Sequence, residues 1–175
     1  LVGLEDVLVF NAWDVDVLVN KVSTTVTPTP AKLDWNAFTE SGNSITLPSF
    51  STALTPAVDL SLSGAASLNV LDGLAVMTVT DFDMTLGQLS GSGGGTTLTN
   101  AQAMTVTLTG VELWVGTGGS LDDGGTTSDF TNTATLSDDT VANGDLGFRG
   151  HVGSLKLASV KDARTAATDD DVSYL

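Results

Sequence analysis

The feature that most narrows what this chain can fold into is a tract of alternating apolar and polar residues from Val58 to Val115. It reads VDLSLSGAASLNVLDGLAVMTVTDFDMTLGQL, then a glycine-rich gap, then AMTVTLTGVELWVG. Successive side chains of a strand point to opposite faces, so a period of two marks strands with one face in a core and one in water. The tract predicts three long strands of about twelve to sixteen residues, against a usual five or six.

The phase of the alternation carries further detail. Val58, Leu60, Leu62, Gly64, Ala66, Leu68 and Val70 share one phase and are the predicted core face of the first strand. Asp72-Gly73 between two apolar runs is a hairpin signal. On the return strand Leu74 and Val76 are followed by Met77 and Val79, then by Phe82, Met84 and Leu86. A one-residue slip turns every later side chain to the other face unless a bulge absorbs it. Bulges are therefore predicted near Val76-Met77 and Thr80-Asp81. A third falls at Gly110, where Met104, Val106 and Leu108 give way to Val111, Leu113 and Val115. Glu112 and Trp114 then lie on the face opposite Leu113. Repeated slips of this kind predict a strongly twisted sheet.

Around the tract, Trp13 to Lys21 alternates with Trp13, Val15, Val17 and Val19 on one face and Asp14 and Asp16 on the other. Ser23 to Pro30 is a proline-punctuated connection. Leu33 to Phe38 reads as a short helical turn or a loop that plugs the core with Trp35 and Phe38. Further strands are predicted at Ile45 to Leu54, around Phe130 to Leu136, and from Val152 to Val160. GSGGG at Gly91 to Gly95 reads as a flexible connection. No GK[ST] follows it, so it is not a phosphate loop. The fold class is all-β, with mostly antiparallel, long, twisted strands arranged as a β-sandwich or an elongated coiled sheet. A parallel β-solenoid is the alternative, opposed by the lack of a short fixed-period repeat.

Charge narrows the setting. The formal charge is −15, and no Lys or Arg lies between Lys32 and Arg149, a stretch that holds thirteen of the acids. Ion pairing cannot neutralise that stretch, so its self-repulsion must be met by ions, screening or wide spacing. Binding to nucleic-acid phosphate is disfavoured. No apolar run of about eighteen residues is present, so membrane insertion is not expected. Cysteine is absent, which removes disulfides and thiol chemistry.

No catalytic constellation emerges. His151, the single histidine, has no Cys and no second His for a zinc site. No GxSxG element occurs. The expectation is a protein that is not an enzyme. Calcium takes six to eight oxygen ligands, and acidic, glycine-containing loops supply them. The candidate ligands are Asp122 and Asp123, Asp138 and Asp139 with Asp145, and the strand pair Asp81 and Asp83; Asp169 to Asp171 form a further acidic run. Of the three tryptophans, Trp114 is the candidate for an exposed, sugar-stacking indole.

The chain opens and closes in mid-pattern, and VSYL read on into LVGLEDVLVFNAWDVDVLVNK makes one continuous module. Together with LDW, VDLSLSGAASLNV, TGVELWVGTGG and GHVGSLKLA, these segments resemble a tandem-repeat module of giant, acidic, secreted bacterial adhesin-like surface-filament proteins. The calcium-binding nonapeptide pattern of many such proteins is not reproduced by GTGGSLDDG. The resemblance implies that residues 1–175 are one all-β repeat-type module of a longer tandem array, secreted or held at a cell surface. Its expected role is that of a building block of an extracellular filament, fibre or stalk, joined to copies of itself or to adjacent repeats by β-edge pairing. The alternative is a calcium-stabilised adhesion module that binds glycan.

Overall fold

The computed structural model describes residues 7–25, 27–39, 41–42, 54–122, 139–162 and 171–175. Among them it has eight strands and no helix: β1 (Leu8–Val19), β2 (Val58–Val70), β3 (Ala75–Gly93), β4 (Thr96–Thr117), β5 (Ser120–Asp122), β6 (Thr140–Ala142), β7 (Leu146–Asp162) and β8 (Val172–Tyr174). Six of them form one antiparallel sheet in the order β1-β2-β3-β4-β7-β8, while β5 and β6 pair separately. The sheet is all-β and antiparallel, as the alternation predicts, and the antiparallel ladder rules out the parallel solenoid. The predicted strands at Ile45 to Leu54 and Phe130 to Leu136 lie outside the described residues, save for Leu54.

Of the three central strands, β2 has 13 residues, within the predicted range, while β3 and β4 are longer than predicted at 19 and 22 residues. The reason lies in GSGGG, which is not a loose connection. β3 runs through Gly93, β4 begins at Thr96, and Gly94 and Gly95 have φ of 57° and 83°. Two successive left-handed residues make the tight hairpin turn whose twist matches that of the strands, so the ladder continues almost to the tip.

Two compact units make up the chain. The first comprises Leu1–Asp16, Ser63–Asp83 and Val106–Leu157; the second comprises Val17–Leu62, Met84–Thr105 and Ala158–Leu175.

In the first unit the Asp72-Gly73 signal is a hairpin, closed by Leu74 N–H donating to the Val70 carbonyl at 3.0 Å and Gly73 N–H donating to Asn69 Oδ1 at 2.8 Å. The apolar core is the cluster of Val76, Trp114, Leu121 and Val141. Leu121 and Val141 are ladder partners in β5 and β6, so this short antiparallel pair supplies the cover over that part of β3 and β4. The predicted kink at Gly110 is present. Its φ is +61°, and a side chain there would run into Thr80, the second predicted slip site. A left-handed glycine inside a strand is bulge geometry. The first slip on β3 falls two residues later than predicted, since Val76, Thr78 and Val79 are all buried.

Two core assignments need correction. On β2 the buried residues are Ser61, Ala65, Ala66, Ser67 and Asn69; of the predicted core face Ala66 is buried, whereas Leu60, Leu62, Leu68 and Val70 are half-buried. Small side chains on a sheet are shaded by their larger neighbours, while leucines stand proud unless another layer covers them. On β1, Val15, Val17 and Val19 are 43%, 58% and 50% exposed. Asp14 has φ of +51° inside the strand and breaks the alternation, so Leu18, not its valine neighbours, is the half-buried residue.

The second unit is held by a polar node. Asn20 is 1% exposed; its amide donates to the Leu33 and Thr55 carbonyls at 2.9 and 3.0 Å and accepts from Trp35 Nε1 at 3.2 Å. Residues 33–38 are a turn, not a helix: Asp34 Oδ1 accepts from the N–H groups of Asn36 and Ala37 at 3.1 Å each. Trp35 and Phe38 pack against each other, with ring centroids 6.1 Å apart, but they do not plug the core: Trp35 is half-buried and Phe38 is 47% exposed.

Candidate functional site

The most distinctive element is β7. It pairs with β4 along one side. On its other side the ladder to β8 covers Val160, Lys161 and Asp162. Among the described residues, no strand pairs with that side of β7 over residues 146–159, nor with the outer side of β1. Among the described residues both are open edges, rows of backbone N–H and C=O groups that serve as a template for another strand.

The side chains of β7 are equally uncovered. Gly147 lies against the Trp114 ring, so the odd residues share the face of the Trp114 cluster and the even ones face the other way. Leu146 is 78% and Phe148 67% exposed, and Val152 is exposed beside them, with Val115 of β4 also on that face. In the first unit the exposed large apolar residues include Val7, Phe10, Val15, Leu71, Leu74, Val115, Leu146, Phe148, Val152, Leu155 and Leu157. The buried ones are Val76, Val79, Val111, Trp114, Leu121 and Val141. Among the described residues of this unit more large apolar side chains are exposed than are fully buried, and the remainder, such as Leu68, Phe82 and Leu113, are half-buried.

On the Trp114 side, β7 carries Arg149 and His151, both directed at Glu112 of β4. Arg149 Nη2 donates to Glu112 Oε2 at 3.0 Å, and His151 Nδ1 lies 2.9 Å from Oε1. The hydrogen bond from Arg149 holds the Glu112 carboxyl below its ordinary value; desolvation opposes this, and the bond to His151 adds to it. The sequence pattern offered this cluster, since RGH places Arg149 and His151 two apart on one strand face. Considering His151 only as a metal ligand missed it.

The acidic candidates fall in separate places. Asp81 and Asp83 are exposed on β3, either side of Phe82. Asp122 ends β5 opposite Thr140, which sets it close to half-buried Asp139. Asp145 lies beyond the other end of β6, its N–H donating to the Thr117 carbonyl at 2.9 Å. Asp123 and Asp138 lie outside the described residues, as do Asp169 and Asp170, while Asp171 pairs with Lys161 at 2.7 Å. Among the described residues no three acidic or imidazole side chains converge as a cation's ligand set. Trp114, the candidate for an exposed indole, is 5% exposed and belongs to the core. It lies on the face opposite Leu113, as the alternation predicts, and alternation does not announce that the β5–β6 pair covers that face.

The second unit holds an open cleft of about 910 Å³ lined by Lys21, Lys32, Asp59, Gln88, Ser90 and Asn100 among others. Lys32 is already engaged there, bonded to Asp59 and to the Val58 carbonyl, so the cleft offers Lys21 as its remaining charged donor. Comparison with protein families, with curated proteins and with solved structures found no match.

Proposed function

We propose that this chain is a structural building block of an extracellular filament, fibre or surface stalk, joined to further copies or to adjacent repeats through its β-edges. The observation that carries the reading is the edge of β7 over residues 146–159, which no strand among the described residues pairs. At about 3.3 Å per residue it is a template on the order of 45 Å long, and its apolar side chains stand in water. Natural sheets blunt such edges by shortening, bulging, charging or covering them; β7 is long, and its first half is flanked by Leu146 and Phe148. Pairing with a further strand satisfies the backbone groups and removes apolar surface in the same step, at roughly 25 cal/mol per Å² buried. The extracellular setting is supported by the acidic, cysteine-free composition.

Sedimentation velocity and electron microscopy of the purified chain over a concentration series test this. The expected result is linear assembly that grows with concentration. A chain that stays monomeric at high micromolar concentration in physiological salt would sink the proposal.

A further inference from the structure

We infer that the joint is heterologous: the β1 edge of one copy pairs with the β7 edge of the next, and like edges do not pair with each other. This rests on the reading that copies join through their edges, and it specifies which edge meets which. Within the first unit, β1 contributes Asp14 and Asp16 and no base. Over Leu146–Leu157, β7 contributes Arg149, His151 and Lys156 and no acid. Two of the chain's six Lys and Arg thus stand on one acid-free stretch of an edge strand. Glu112 of β4 takes up the charge of Arg149. Lys156 is exposed and makes no ion pair among the described residues, and Asp14 and Asp16 are likewise exposed on β1.

Like charges directly across a ladder destabilise it, and opposite charges stabilise it. Pairing β1 with β1 sets Asp14 and Asp16 against their own copies in a chain already carrying a charge of −15. Pairing β7 with β7 brings Lys156, which has no ion pair among the described residues, up to a stretch that again offers no acid. Only β1 against β7 sets acid against base. The apolar residues agree, because Phe10 and Val15 on one edge and Val152 and Leu155 on the other are all exposed and are covered together. A heterologous contact leaves one unused edge of each kind at every end, so it propagates as an open chain; two like edges meeting would close as a dimer.

The absence of cysteine makes a direct test available. Ala12→Cys on β1 and Ser154→Cys on β7 alter exposed positions. Each variant is treated with a short bismaleimide, alone and mixed with the other. The expected product is a mixed Ala12→Cys/Ser154→Cys dimer, with little from either variant alone. Homodimers dominating in either single-variant reaction overturn the inference and leave edge assembly standing. Assembly with no mixed product overturns it too, and a monomer throughout removes the building-block reading as well.

Charge reversal gives a second measurement. Asp14→Lys with Asp16→Lys, or Lys156→Glu, should each weaken self-association ~10-fold, the scale of one or two cross-strand charge pairs. Mixing the two variants should restore it, because each then offers the edge that the other has lost. Unchanged association of the β1 variant overturns the inference.

Discussion

Two stretches of the first unit obey the same alternation and meet opposite fates. Around Trp114 the outward-pointing residues of β3 and β4 are roofed by Leu121 and Val141 of the short β5–β6 pair, and Val76 is fully buried. Along β7 the same kind of pattern, with leucine, phenylalanine and valine at alternate places, has no roof, and Leu146 and Phe148 stand in water. Alternation therefore reports that a strand has an apolar face. Whether that face is buried depends on a second layer, which here spans part of the sheet.

The sharpest way to break this contrast is to empty the roofed patch. Trp114→Ala removes the largest side chain of the cluster and should lower stability by about 3–5 kcal/mol, read as a fall in the urea midpoint. Trp114→Phe should cost much less. The indole N–H of Trp114 has no hydrogen-bond partner among the described residues, and removing a buried, unsatisfied donor returns part of what the lost volume takes away. A Phe variant as damaged as the Ala variant would show that the N–H is satisfied after all.

The next effect concerns the kink that sets the phase of β4. Gly110→Val forces a branched side chain into a left-handed position and against Thr80, a loss of about 1–3 kcal/mol or more. Adding Thr80→Ala should relieve the collision and leave the backbone strain, giving partial rescue in the same denaturation measurement. Full rescue would mean that the conformation of Gly110 is not what holds the bulge.

These positions show what was legible in advance. The slip at Gly110 could be read because the apolar set changes parity across a glycine. The hairpin at Asp72-Gly73 was signalled by its turn residues. The fault in β1 could not be read, because Asp14 takes up a left-handed φ without any glycine to announce it. The burial of Ser67 and Asn69 in place of Leu68 was also hidden, since hydropathy ranks them the wrong way round. Of the candidate site, the acid clusters were visible as composition, but their separation into unconnected places is a property of the ladder. The open edges were hidden entirely, because edge or centre is decided by strand order.

On the bare side of the contrast, Phe148→Ser together with Leu146→Ser should change the stability of the monomer by no more than ~0.5 kcal/mol, the usual range for exposed positions. The same double variant should reduce self-association, because these side chains are covered only when a copy docks on β7. Measured at concentrations low enough to keep the protein monomeric, a loss of stability near that of Trp114→Ala would show that β7 is roofed, and the comparison would collapse.

A last, small effect belongs to the ionic tie between these two regions, Glu112 on β4 with Arg149 and His151 on β7. Because the Arg149 hydrogen bond holds the Glu112 carboxyl below its ordinary value of 4.5, the folded state binds this proton less readily than the unfolded chain does. Its contribution to stability is complete above pH 4.5 and is lost as pH falls through the lowered value in the folded state. The groups are partly exposed, with Arg149 at 46% and Glu112 at 32%, so the contribution is a few tenths of a kcal/mol, up to about 1. Glu112→Gln should melt slightly below the parent at neutral pH, and the gap should close as the pH drops toward 3, below the unfolded value. Added salt should narrow the neutral-pH gap through screening. A gap that persisted unchanged in acid would mean that Glu112 acts through shape and packing, and that β7 is fixed to the sheet by its backbone ladder alone.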